Sequence, residues 1–215
     1  MTTATASTLP QGQTFLLEDV SWDYYTRTLQ EMERQKRHVR VTYDRGRMEF
    51  MTFTVLHEFV RRTLGRFVET YSLERGVRAT SLGSFTCRRS DLDRGLEPDE
   101  CYYVHSAPPP AEPQEIDPSI HPVPDLAIEV DITHSSLPRQ SIYAALGVQE
   151  IWRYSKEHVT FLRRLPNGTY VSIEKSDVFP ELTGERIGHF LGLALPNQQY
   201  DAVVAFRDWL RSPRS

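Results

Sequence analysis

Apolar positions along the chain change period several times, and each change marks an element. From Asp19 to Arg37 the residues Val20, Tyr24, Leu29 and Met32 recur at helical spacing, which predicts a helix. His38–Tyr43 alternates, with Val39, Val41 and Tyr43 on one side. After the turn Asp44-Arg45-Gly46, alternation resumes over Arg47–Phe53 with Met48 and Phe50. Two alternating runs around a glycine-bearing turn predict a β-hairpin. Val55 to Leu73 carries the clearest helical stripe: Leu56, Phe59, Val60, Leu64, Phe67, Val68 and Tyr71. Gly76 to Arg89 reads as a pair of short strands broken at Gly83, Asp91 to Pro98 as a turn, and Cys101 to Val104 as a short strand.

The stretch from Ala107 to Pro124 holds seven prolines and is predicted to be a loop. Too little core lies on either side for it to link two domains. Leu126 to Ile132 is a β-branched apolar strand. Gln140 to Gly147 is a helix closed by glycine, and Ile151 to Tyr154 is another strand. Val159–Leu165 and Tyr170–Ile173 flank the turn pair Asn167-Gly168 and predict a second hairpin. Ala202 to Leu210 closes the chain as an amphipathic helix. The pattern is that of an α/β (α+β) fold, a mixed sheet with helices packed on it and a hairpin near the N-terminus. Residues 1–14, rich in Thr, Ala, Ser and Gln, read as a flexible tail. Residues 15–213 read as one domain, which suits a 215-residue chain.

Composition narrows the function classes. A charge of −4 gives no overall basic footprint, so any nucleic-acid binding must come from a local patch. Only three of the 25 cationic residues are lysines (Lys36, Lys156 and Lys175), so a catalytic lysine has few places to be. Cys87 and Cys101, the only cysteines, cannot make a Cys-rich zinc site and are expected to be free thiols in a reducing compartment. No apolar run reaches the roughly 18 residues of a membrane span, and the N-terminus lacks a secretory pattern; a cytoplasmic protein is expected. The seven histidines form no His-x-x-x-His pair, and neither a Gly-x-Ser-x-Gly elbow nor a Gly-rich phosphate loop is present. Trp152 and Tyr102-Tyr103 could stack on bases, but aromatic residues beside strands more often fill the core.

The informative stretch runs from Glu97 to Trp152. Glu97-Pro98-Asp99 opens one strand, and Pro124-Asp125 opens another that contains Glu129. A hard divalent cation takes oxygen ligands, usually one or two carboxylates plus water and phosphate. Asp125 and Glu129 face one side of an extended strand but lie ~13 Å apart, too far to share an ion. Glu129 therefore needs a partner from another strand, and Asp99 is the best candidate. Asp131 faces the same side as Glu129, only ~6.6 Å away. The plainer readings are that Asp125 and Asp99 initiate turns after proline and that Glu129 belongs to a buried salt bridge. Glu129 interrupts the apolar run Leu126-Ala127-Ile128 and Val130, where an uncompensated carboxylate is costly.

These residues carry a family resemblance. Gly46-Arg47-Met48-Glu49-Phe50-Met51, Leu56-His57-Glu58, Gly95-Leu96-Glu97-Pro98-Asp99-Glu100-Cys101-Tyr102-Tyr103, Pro124 through Val130, and Ile142 through Val148 to Trp152 follow in order. Over about residues 30–205 the chain resembles the Uma-two family of restriction-endonuclease-like proteins. That resemblance implies the PD-(D/E)XK fold, with Asp99 as the motif aspartate and Glu129 as its glutamate, holding Mg²⁺ or Mn²⁺. Glu58 resembles an additional acid near the metal, with His57 beside it; for both, a solvated helix face is the plainer alternative. The pattern's lysine would fall at position 131, where this chain has Asp131. In relatives the lysine often stands before the following helix, and there the chain has Arg139, next to Gln140. Arginine can stabilise phosphate charge but stays protonated and cannot act as a base.

Two functions follow as expectations. The first is metal-assisted phosphodiester hydrolysis of DNA, with Asp99 and Glu129 holding the ion, Arg139 facing the phosphoryl oxygens, and Asp131 adding a ligand or orienting water. The second is a degenerate nuclease fold that binds nucleic acid or a protein without cutting. The resemblance also implies a homodimer, which the apolar edge of the Phe161–Ile173 hairpin could support.

Overall fold

The computed structural model describes residues 12–37, 39–109, 119–132 and 135–213. Of the segment expected to be a tail, residues 1–11 lie outside the described residues and Thr14 already belongs to a strand. Part of the proline-rich loop, residues 110–118, also lies outside them. In chain order the elements are β1 (Thr14–Leu17), α1 (Trp22–Arg34), β2 (Arg40–Asp44), β3 (Arg47–Met51), α2 (Val55–Arg75), β4 (Thr80–Ser81), β5 (Cys87–Arg89) and β6 (Arg94–Leu96). They continue with β7 (Glu100–Tyr103), β8 (Leu126–Asp131), α3 (Arg139–Leu146), β9 (Glu150–Ser155), β10 (His158–Arg164), β11 (Tyr170–Ile173), α4 (Gly184–Ala194) and α5 (Gln199–Arg211).

The α/β architecture is as expected, with its strands divided between two sheets. The smaller runs β1-β3-β2-β6-β5 and the larger β11-β10-β9-β8-β7-β4. β8 and β9 are parallel, joined by the α3 crossover, while their outer neighbours pair antiparallel. The two short strands expected between Gly76 and Arg89 separate: β4 joins the larger sheet and β5 the smaller. The segment expected to be a turn before Pro98 contains β6, too short to show a period. α4 was also not anticipated. Its three glycines, Gly184, Gly188 and Gly192, dilute the helical signal.

Period-two alternation in β8 sends Leu126, Ile128 and Val130 into one core with Val60, Leu64 and Phe67 of α2, Phe190 of α4 and Phe206 of α5. Ala127 faces the opposite way, toward Ile142, Tyr143 and Leu146 of α3. Glu129, two residues further on, lies on that same side. In β2, Val41 and Tyr43 join Tyr25 of α1 and Met48 of β3 in a third core. The other face of β2, with Arg40, Thr42 and Asp44, is equally buried. It therefore meets protein, not water. Trp152, Tyr102 and Tyr103 are all core residues, which removes them as base-stacking surfaces. Cys87 and Cys101 are buried free thiols, and burial pushes the Cys87 thiol up to about 12.

Candidate active site

The polar face of β2 and β3, the starts of α2 and α3 and the ends of β7 and β8 meet between the sheets. Glu100 pairs with Ile128 across β7 and β8, so Asp99, one residue earlier, falls beside Glu129. The Asp99 amide donates to the Ile128 carbonyl (3.1 Å), and Asp99 Oδ2 accepts the Val130 amide (2.6 Å). The two carboxylates thus share one face at neighbouring strand positions.

Two arginines neutralise them. Arg139, the first residue of α3, donates from Nε to Glu129 Oε2 (2.9 Å) and from Nη2 to Glu129 Oε1 (2.6 Å). It also donates to Thr42 Oγ1 (2.5 Å) and the Glu97 carbonyl (2.7 Å). A cation at a helix N-terminus is unfavourable by itself; this four-bond seat offsets that. The Tyr143 hydroxyl, one turn along α3, donates to the same Glu129 oxygen. Burial would raise the Glu129 pKa, but Arg139 and Arg40 outweigh it and hold the carboxyl below its usual range.

Arg40 comes from the buried face of β2. Its Nη2 is paired with Asp99 Oδ1, and its Nη1 lies 4.0 Å from Glu129 Oε2. The guanidinium sits over the Phe53 ring, 5.0 Å from the centroid. Burial and the neighbouring Arg139 lower its pKa to about 10, so it stays charged at neutral pH. His57, in the first turn of α2, places Nε2 3.0 Å from Asp99 Oδ1. The alignment makes no hydrogen bond, and His57 Nε2 is left without one. Burial, then Arg40, lowers the His57 pKa to about 4, so the ring is neutral.

The other candidates divide. Asp131 pairs with Arg153 of β9, and with Gln140 both line a cavity of about 320 Å³ that also exposes Arg40, Glu129 and Arg139. Glu58 is half-exposed and paired with Arg61 (2.7 Å), so of the neighbouring pair it is His57 that reaches Asp99. Asp125 stands outside the cluster: its Oδ2 accepts the amides of Val104, His105 and Ser106 at 2.7, 2.8 and 2.9 Å. It anchors a loop. Glu49 of β3 accepts from Ser135 Oγ (2.6 Å) and the Ser136 amide, fixing the segment that leads to Arg139. Arg40, Thr42 and Arg153 fall in none of the motif segments, and Glu49 and Tyr143 fall in two of them without a role that the sequence assigned. Alternation on β2 marked Arg40 and Thr42 as the non-core face, and only the second sheet shows that this face is buried.

Among the described residues no three His, Cys, Asp or Glu side chains group as a metal site. The donor set still fits Mg²⁺ or Mn²⁺, which need only one or two carboxylates, with water and phosphate completing the shell. Asp99 Oδ1 is taken by the Arg40 guanidinium. Arg40 stands where such an ion would sit.

A two-sheet α/β frame around a parallel β8-α3-β9 unit, with paired acids and arginines at the strand ends, has the architecture of a restriction-endonuclease-like protein. A family model described as "Uma2: Putative restriction endonuclease" matches residues 25–195, and the chain belongs to that family. A crystal structure described as a putative nuclease belonging to DUF820, from Anabaena variabilis, superposes with a TM-score of 0.52 at 16% identity. The match covers 70% of this chain and 90% of that one, and shows a common fold. No curated protein matches the chain.

Proposed function

We propose that this protein hydrolyses phosphodiester bonds of DNA with Mg²⁺ or Mn²⁺ held by Asp99 and Glu129. The observation that carries the reading is the meeting of these two carboxylates, thirty residues apart in the chain, at adjacent strand positions beside a cavity lined by arginines. When bound, the ion would supply an activated water and charge stabilisation at phosphorus. The protein's own part is positioning. Arg139, Tyr143 and the Val130 amide fix the orientation of the acids. Arg153 and Arg40, on the cavity wall, supply positive charge for a phosphate. His57, being neutral, does not compete as a cation for Asp99. A cytoplasmic setting suits the two free thiols. A homodimer accords with β11 as a sheet edge carrying the exposed Val171.

The test is cleavage of supercoiled and linear DNA in Mg²⁺ and Mn²⁺ by the native chain, Asp99→Asn and Glu129→Gln. Cleavage lost in both variants is the expected result; cleavage unchanged in both overturns the reading. A second reading, binding of nucleic acid without hydrolysis, is favoured by one observation: Arg40 and Arg139 already balance both acids, and no lysine is present in the cluster. It predicts salt-sensitive DNA affinity with no turnover in either metal.

A further inference from the structure

We propose that Arg45, Arg47 and Arg94, fanned around Asp44 at one end of the smaller sheet, hold backbone phosphates of the nucleic acid on one side of the candidate site. The inference rests on the nucleic-acid reading above, with or without cleavage, and needs no metal ion.

Strand register sets these residues in one row. Arg47 of β3 pairs with Asp44 of β2, and Asp44 pairs with Arg94 of β6. Directly paired positions project from the same side of a sheet. Asp44 Oδ1 accepts from Arg94 Nε (3.0 Å) and Arg45 Nε (3.2 Å), and Oδ2 accepts from Arg47 Nη2 (3.1 Å). The carboxylate is fully buried, whereas the Arg45 and Arg47 side chains are 63% and 40% exposed. Negative charge therefore lies beneath the row and positive charge faces outward. One arginine would balance Asp44. The other two exceed what the fold requires, and their planar forks match phosphate oxygens.

The turn points the same way. Arg45 at φ 47° and Gly46 at φ 86° make a two-residue hairpin turn, which Asn-Gly or Asp-Gly would fill with less strain. Arginine adds nothing to the turn; it adds an exposed cation. The nearby acids leave that charge available. Asp91 is taken by Arg89 (3.0 Å), and Asp93 lies toward the Tyr43 hydroxyl, on the opposite face of β2. Among the described residues, the exposed Glu18 and Asp19 make no ion pair with the row.

The row adjoins the candidate site. Asp44 follows Thr42 on one face of β2, ~6.6 Å along the strand, and Thr42 accepts from Arg139. Arg94 Nη1 donates to the Ser141 carbonyl in the first turn of α3 (3.2 Å). A nucleic-acid strand advances ~3.4 Å per phosphate, so one phosphate at the cavity lays its neighbours across the row. In a chain of net charge −4 this is the kind of local basic patch that nucleic-acid binding demands.

The test is fluorescence anisotropy of a labelled DNA duplex in EDTA, with affinity followed as NaCl rises. The double variant Arg45→Gln/Arg47→Gln leaves Arg94 to balance Asp44. It should bind about tenfold more weakly at low salt, and the slope of log affinity against log salt should shrink by about two. The control Arg207→Gln/Arg211→Gln removes the same charge from α5, where Arg211 pairs with Glu74 near the far end of α2, and should keep the native slope. If the double variant does not fold, Arg45→Gln alone carries the test, with a slope change of about one. A row variant that behaves like the control overturns the inference and leaves nucleic-acid binding in place. A native chain that binds no DNA at any salt overturns both, and binding of poly-glutamate in its stead assigns the row to an acidic protein.

Discussion

Removing the Asp125 carboxylate should destabilise the protein without touching the site. Asp125 precedes β8 and accepts four hydrogen bonds, three from successive amides on Oδ2 and one from the Ser106 hydroxyl on Oδ1 (2.8 Å). Hydrogen bonds to a charged group contribute about 1.5–3 kcal/mol each when measured singly. They are not additive, and the freed amides of 104–106 lie close enough to the surface to recruit water. The net cost of Asp125→Ala is then about 3 kcal/mol. For a chain of this length that lowers Tm by roughly 6–12 °C. Asp125→Asn keeps one acceptor but loses the charge, and should fall about midway.

The pH dependence has a definite sign. Burial pushes the Asp125 pKa up, but the amide and hydroxyl donors prevail and hold it below the usual carboxylate value. A depressed acid contributes stability above its unfolded pKa, near 3.9, and loses it as pH falls through the lower folded value. The stability gap between the native chain and Asp125→Asn should persist at neutral pH and close only in strong acid. Thermal unfolding followed by circular dichroism across pH, with Mn²⁺ binding measured on each variant, checks both points. Asp125→Ala with an unchanged Tm and lost Mn²⁺ binding would refute the reasoning and return Asp125 to the site.

Further outcomes are expected elsewhere. Arg139→Lys exchanges a fixed fork for a point charge able to shed its proton, and should raise Mn²⁺-dependent plasmid nicking about tenfold or more, at a cost in stability visible in denaturant unfolding. Glu49→Ala releases the segment before α3: amide exchange at Ser136 and Leu137 should quicken, and stability should drop by about 2 kcal/mol. At Gly184 an added Cβ would press against the Val159 carbonyl where α4 meets β10, so Gly184→Ala should cost about 2 kcal/mol in urea unfolding while leaving Mn²⁺ affinity unchanged.

The sequence alone determined the elements with a strong period and singled out the two acids as candidates for one site. The stripe from Leu56 to Tyr71, the alternation across Gly46 and Asn167-Gly168, and the apolar run broken by Glu129 are local signals, because a helix or strand buries one face at a fixed repeat. Asp99 and Glu129 could be matched from the resemblance and from strand reach, which excluded Asp125 as Glu129's partner. What answers those charges could not be read from the chain. Arg40, Thr42 and Asp44 look like the wet side of a hairpin until Asp99, Arg139 and Arg94 respectively pack onto them. His57 and Glu58 are adjacent letters, and only the rotation of α2 turns the first onto Asp99 and the second toward Arg61. Arg139 looked like a group aimed at phosphate; in the folded chain it clasps Glu129. Local repeat fixes which side of an element a residue takes, but the identity of its neighbour across the core depends on contacts between segments far apart in sequence, and those exist only after the two sheets have packed.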